Sequence, residues 1–332
     1  MPTRIVQFHE VGGPEVLQVA TVDLPAPGPG EVTVRVEAIG LNRADLMYRS
    51  GHYLEQPASF PARLGYEASG VVERVGSDVG GLNVGDRVSV IPNFSLNQYG
   101  TYGELINLPQ QAIAPRPDHV DAITGAAVWM QYLTAYGSLI EVADLRPGDH
   151  VLITAASSSV GLAAIQVANR IGAIPIAATT RARKKQALLD AGAAHVVVTS
   201  EEDVTARARE LSGGAGVRVV LDPIAGPGLK ALAAAVRPGG LVIVYGMLSG
   251  EATPLVTMEL GLAPVAVRTY WVLELTLDMP ALERAKHYIL SGLRSGAFTP
   301  AIDRTFDIDE VAKAHEYLES NEQVGKVVLT IG

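Results

Sequence analysis

The stretch Val151-Leu152-Ile153-Thr154-Ala155-Ala156-Ser157-Ser158-Ser159-Val160-Gly161 joins a short apolar run, a turn of small residues and the start of a helix. That order of residue types can build an anion site. Backbone N–H groups of a tight turn and of a helix start converge on a phosphate, and small side chains let the backbone come close. The usual Gly-x-Gly-x-x-Gly spacing falls on Ala156, Ser158 and Gly161, so only the third glycine is kept, while Ser157, Ser158 and Ser159 offer hydroxyl donors and Val160 opens the helix. The competing reading is a serine-rich turn with an ordinary N-cap. Its place as the first turn of a strand–helix alternation favours a dinucleotide site.

An acid about 20 residues past the first glycine position would bind a ribose 2′-hydroxyl. Here the second strand ends Ala177-Ala178-Thr179-Thr180-Arg181, followed by Arg183, Lys184 and Lys185, with no acid among them. A solvated basic helix face is the plain alternative. Cations in place of the acid suit a 2′-phosphate, through charge-assisted hydrogen bonds, and hence NADP(H). Arg181 and Lys184, with Thr180 assisting, are the expected holders; Arg183 and Lys185 point elsewhere around the helix. Asp222-Pro223-Ile224-Ala225-Gly226 and Tyr245-Gly246-Met247-Leu248-Ser249-Gly250 follow the fourth and fifth strands, on the carboxyl-end edge where such sheets bind ligands. Either could instead be a connecting loop with glycine at positive φ.

The elements that position these groups change character along the chain. The first third reads as short strands at Ile5–His9, Val16–Ala20, Glu31–Ile39, Gly70–Val75 and Arg87–Ile91, separated by Gly/Pro turns, which predicts an antiparallel barrel or sandwich. From about Asp121, β-branched runs alternate with Ala-rich helical stretches, which predicts a doubly wound parallel sheet. The fold class is α/β. The expected division is a first catalytic part over 1–121, a nucleotide domain over 122–263 and a return segment over 264–332. The return segment carries only two helices and a terminal strand, too little for a core of its own.

Composition narrows the function further. The 332 residues contain no cysteine, which removes disulfides, thiol nucleophiles and iron–sulfur clusters, so redox work falls to an organic cofactor. A formal charge of −9 argues against a broad grip on nucleic acid. No run approaches the roughly 20 apolar residues of a membrane span, and the amino terminus alternates like a strand rather than a signal peptide, so the cytoplasm is the expected address.

Four further segments complete a pattern: Gly40-Leu41-Asn42-Arg43-Ala44-Asp45, Arg49-Ser50-Gly51-His52-Tyr53, Gly65-Tyr66-Glu67-Ala68-Ser69-Gly70-Val71-Val72 and Val84-Gly85-Asp86-Arg87-Val88, with Gly325-Lys326-Val327-Val328-Leu329 at the end. With these the chain resembles the medium-chain dehydrogenase/reductase superfamily, in its zinc-independent quinone oxidoreductase branch, which includes zeta-crystallin-like proteins. The resemblance implies a GroES-like β-barrel catalytic domain plus a Rossmann domain. Zinc-dependent members have Cys at the place of Asn42 and His at the place of Tyr66, so no metal is expected. Without a metal to polarise an oxygen, hydride transfer from NADPH suits a quinone or an α,β-unsaturated carbonyl. By resemblance, Tyr53 orients or protonates the substrate, Asn42 is a donor near the nicotinamide, and Asp45 is a structural acceptor in the same polar pair. Thr134 packs by the nicotinamide, Tyr48 and Tyr66 either line the substrate pocket or belong to the core, and Tyr270 and Trp271 either supply apolar area at a dimer joint or border the substrate pocket. A homodimer joined near Val265–Leu273 is implied as well. An enoyl-thioester reductase, and a nonenzymatic NADPH- or RNA-binding protein, are the rival readings.

Overall fold

The computed structural model describes residues 1–262 and 264–332, with the side chains of Glu259 and Leu262 also outside the description. The chain divides into two compact units, one formed by Met1–Met130 with Pro300–Gly332 and the other by Gln131–Thr299. In chain order the strands are β1 (Pro2–Phe8), β2 (Gln18–Asp23), β3 (Glu31–Gly40), β4 (Ala62–Arg63), β5 (Ala68–Val75), β6 (Arg87–Val90), β7 (Leu105–Pro109), β8 (Ile113–Pro115), β9 (His150–Ile153), β10 (Ile174–Thr179), β11 (His195–Val198), β12 (Val217–Asp222), β13 (Val236–Val244), β14 (Ala266–Thr269), β15 (Ile302–Asp307) and β16 (Lys326–Thr330).

In the first unit, β3 is the hub. Val32, Val34, Val36 and Ala38 recur at period two and are all buried, so one face of the strand lies in the core. It pairs antiparallel with β5, β7 and β16 in a sheet ordered β15-β16-β3-β5-β6-β8, and β15 joins β16 in parallel. A second sheet runs β2-β1-β4. The terminal strand β16 thus supplies the register that the first 130 residues lack. The short Ala122–Gly125 helix packs on β3 and β5, which carries this unit past residue 121 to Met130.

The second unit holds a parallel sheet ordered β11-β10-β9-β12-β13-β14. Val151, Leu152 and Ile153 of β9 are fully buried, as a parallel strand covered on both faces requires. The chain reverses direction across the sheet between β9 and β12, the point at which doubly wound sheets place ligands. The Ser159–Ile171 helix starts on the Ser158 hydroxyl, which accepts from Gly161 N at 3.1 Å, and stops at Gly172, φ +86°.

The segment 264–299 belongs to this unit rather than to the expected return segment; the expected boundary itself falls on Ala263, outside the described residues. The reason is pairing that composition does not reveal: β14 extends the parallel sheet with Leu241 opposite Ala266 through Val244 opposite Thr269. Gln166 then secures both ends of the unit. Its Oε1 accepts from Tyr132 Oη at 2.6 Å and from Thr299 N at 2.9 Å, and its Nε2 donates to Thr299 O at 3.0 Å. Phe298 stacks on Tyr132 with ring centroids 4.7 Å apart. Among the described residues, no helix is long and apolar enough to cross a membrane.

Candidate active site

The turn after β9 is tightly built. Ala155 takes φ +45°, and a Cβ on Gly161 would lie 2.5 Å from Ala156 O, so the one retained glycine lets the helix start close against the turn. Ala156 is fully buried and its N–H is already bonded to Ala178 O at 3.1 Å. Ser157 and Ser159 lie half-buried on either side of the Ser158 cap at the same turn. Past β10, the chain bends through Ala182–Lys184 and folds Lys184 inward until it is 6% exposed, with Nζ 3.1 Å from Ser157 Oγ. Arg181 is half-buried beside it; Thr180, Arg183 and Lys185 are exposed.

The loops after β12 and β13 close on each other. Leu248 N and Ser249 N donate to Pro223 O and Ile224 O at 3.0 and 2.9 Å, and a Cβ on Gly246 would lie 2.7 Å from Pro223 O. Asp222 anchors the first loop: buried, it accepts from Ala225 N at 2.7 Å and from Thr154 Oγ1, and burial raises its carboxyl above the usual range. Tyr245 follows β13, its hydroxyl kept protonated by burial and by the neighbouring Asp222 charge, while Met247 and Leu248 are exposed. Thr134, on the Trp129–Tyr136 helix, is nearly buried.

In the first unit a chain of polar side chains runs through the interior. Asn42 caps the Arg43–Arg49 helix, and Asp45 Oδ2 accepts from Asn42 N at 2.8 Å and from Tyr102 Oη at 3.2 Å. Tyr102 Oη also meets His315 Nε2 at 3.2 Å; His315 Nδ1 meets Arg49 Nη1 at 2.9 Å, and Arg49 is paired with Glu319. On the other side, Lys326 Nζ donates to Asn42 Oδ1 and to Glu67 Oε2, each at 2.6 Å, and Glu67 Oε1 accepts from Met130 N at 3.2 Å. Burial pushes Asp45 up to about 7, against the pull of the Asn42 N–H and the Lys326 charge. It pushes His315 down to about 3, helped by the Arg49 charge.

Tyr53 is half-buried, its ring edge-on to Tyr66 with centroids 6.2 Å apart. Its loop is fastened by Glu55, which accepts from Leu96 N and Asn97 Nδ2, each at 3.0 Å, and from Ser95 Oγ. Asn97 uses its whole carboxamide: Oδ1 accepts from Tyr48 Oη at 2.9 Å and Ala58 N at 2.8 Å, and Nδ2 also donates to Gln56 O at 2.9 Å.

Three of the expected site residues are buried and already hydrogen-bonded. Asp45 is fully buried and accepts from Asn42 N at the helix cap, the structural acceptor expected by resemblance. Tyr48 is fully buried against Phe8, with its hydroxyl taken by Asn97, which makes it core rather than pocket lining. Tyr270 is buried within the second unit over Gly137, where a Cβ would lie 1.9 Å from its hydroxyl, and it donates to Leu133 O at 3.4 Å. Trp271 stays 37% exposed and Tyr66 1%. Lys326, Tyr102, His315 and Asn97 join these networks without a local sequence signal; only Lys326, before Val327-Val328-Leu329, stands out as a charge beside an apolar run.

Comparison with known proteins agrees with this architecture. Residues 28–118 match the alcohol dehydrogenase GroES-like domain and residues 159–285 the zinc-binding dehydrogenase family. The quinone oxidoreductase of Salmonella typhimurium is 34% identical, with 99% of each chain covered. A 2-haloacrylate reductase of a Burkholderia species is 30% identical, with 97% of each covered. The crystal structure of Escherichia coli quinone oxidoreductase complexed with NADPH superposes with a TM-score of 0.91 at 31% identity, covering 98% of this chain and 99% of that one. Among the described residues no group of three or more His, Asp or Glu side chains is arranged to hold a metal ion, whatever the second family's name. The chain belongs to the medium-chain dehydrogenase/reductase superfamily, in its zinc-independent quinone oxidoreductase branch.

Proposed function

We propose that this protein transfers a hydride from NADPH to a quinone or an α,β-unsaturated carbonyl. The observation that carries the reading is Lys184, turned inward onto Ser157 of the phosphate turn where an NAD-preferring site would place an acid. The residues fit the cofactor: Ser157, Ser158, Ser159, Val160 and Gly161 face the pyrophosphate, Lys184 and Arg181 with Thr180 hold the 2′-phosphate, and Thr134 and Tyr245 to Leu248 flank the rest. When bound, NADPH supplies the hydride. Asn42 donates a hydrogen bond to the reacting partners, and Tyr53 orients the acceptor or gives it a proton. The named activities of the Salmonella and Burkholderia relatives support the two acceptor classes, quinone and activated alkene.

The test is NADPH oxidation across a panel of quinones, enones and enoyl thioesters. Turnover of quinones or enones supports the reading, preference for the thioesters points to the enoyl-thioester reductase, and tight NADPH binding without turnover of any acceptor leaves a binding protein. Metal content belongs to the same test: the expected result is no stoichiometric zinc and no loss of activity on chelation. A cytoplasmic homodimer is part of this proposal. Its joint is β14, an edge strand whose four residues are all exposed and able to pair with a second copy. A monomer in light scattering at micromolar concentration overturns that joint.

A further inference from the structure

We propose that Lys326 is a positioning residue that makes Asn42 an obligate and strengthened hydrogen-bond donor; this rests on the donor role given to Asn42 above. An ammonium has only donors, so the Asn42 atom 2.6 Å from Lys326 Nζ is the carboxamide oxygen. A carbonyl only accepts, so the atom 3.1 Å from Gly40 O is the carboxamide nitrogen. Both ends of the amide are thereby assigned, and the orientation is not free to reverse. One N–H is bonded to Gly40, and the second is the group available to a reactant. A positive charge on the oxygen also draws electron density from the nitrogen, which sharpens the donor.

The arrangement is built around this contact. Lys326 is 1% exposed and Glu67 0%, and Glu67 holds the ammonium from the other side at 2.6 Å. The lysine stem passes over Gly40, where a Cβ would lie 2.8 Å from Lys326 Cε and 1.9 Å from Ala126 O, so no side chain fits at position 40. Asn42 itself keeps 8% of its surface, the only member of the trio with an outlet.

The experiment compares Asn42→Ala, the pair Lys326→Met with Glu67→Gln, and the triple variant. Removing both charges together avoids leaving one buried and alone. Three quantities are read: the single-turnover rate of NADPH oxidation with a quinone, the NADPH dissociation constant by fluorescence, and the Asn42 side chain in the crystal structure of the charge-free pair. The expected results are a rate at least about tenfold lower in Asn42→Ala and in the pair, no further loss in the triple variant, NADPH affinity within about twofold of wild type in the pair, and an Asn42 carboxamide that has left Gly40 O. A merely structural role would give losses that add in the triple variant and would overturn the proposal. So would a pair that turns over like wild type while Asn42→Ala is slow, which leaves the donor role of Asn42 intact. If Asn42→Ala is itself as fast as wild type, the donor role fails and the proposal falls with it.

Discussion

Arg49 Nη1 stands 2.9 Å from His315 Nδ1 in the interior of the first unit, and this contact fixes the proton on the ring. Arginine only donates, so Nδ1 accepts and the proton sits on Nε2, which donates to Tyr102, which in turn donates to Asp45. Asp45 Oδ1 is buried without a hydrogen-bond partner, so a proton can sit there without disturbing the chain.

Stability should therefore carry two opposed pH dependences. His315, pushed down to about 3, is neutral when folded and charged when unfolded below its ordinary value of about 6.5, so its contribution is lost as pH falls through that window. Asp45, pushed up to about 7, holds a proton in the folded state that the unfolded chain releases above about 3.9, so its contribution is lost as pH rises through the same range. Between about pH 4 and 6.5 the two cancel. Asp45→Asn removes one of them, and its urea unfolding free energy should rise by about 1.4 kcal/mol per pH unit relative to wild type. Parallel curves for the two proteins would refute the assignment.

The cofactor preference should reside in one lysine above all. Losing a charge-assisted hydrogen bond of about 1.5–3 kcal/mol corresponds to roughly one to two orders of magnitude in NADPH affinity. Lys184→Ala should show that loss, Arg181→Ala a comparable or smaller one, and Arg183→Ala little, with NADH affinity unchanged in all three. Dissociation constants at fixed salt decide it; an unchanged NADPH-to-NADH ratio would return this cluster to an ordinary solvated face.

Asn97→Ala should loosen the segment that carries Tyr53 without loosening the sheet. Four hydrogen bonds converge on that side chain, yet it is exposed, so roughly 1–2 kcal/mol of local stability is at stake. Hydrogen exchange should quicken in peptides spanning 50–61, Ala58 above all, and stay unchanged in β3 and β5. Uniform acceleration across the unit would show that the clamp is not local.

Ala225 sits at φ +59° and ψ −151°, a conformation natural only to glycine. Ala225→Gly should relieve strain by more than the added freedom of the unfolded chain costs, a net gain of about 1 kcal/mol and a melting temperature higher by roughly 2–4 °C. A lower melting temperature would mean that the alanine methyl group contributes packing that outweighs the strain.

Much of the fold was legible because it rests on local pattern. The β11 bounds, His195–Val198, and the start of the Ser159–Ile171 helix follow from β-branched runs and a serine cap that sit next to one another in the chain. What escaped depends on partners far apart. Nothing near Ala266–Thr269 states that it pairs with β13, and nothing near Tyr48 or Tyr270 separates a pocket-lining ring from one sealed over Phe8 or Gly137. Lys326 lies 284 positions from Asn42, so its effect on that amide becomes visible only once β16 is laid against β3.

Gln166 grips Tyr132 and Thr299, the residues just inside the two points where the chain enters and leaves the second unit. The inserted stretch thus has its ends side by side, the geometry that lets a domain be cut out, transplanted or circularly permuted with short joins. Residues 131–299 can be treated as an exchangeable cassette, and the host unit as a frame that a brief linker between 130 and 300 would reclose.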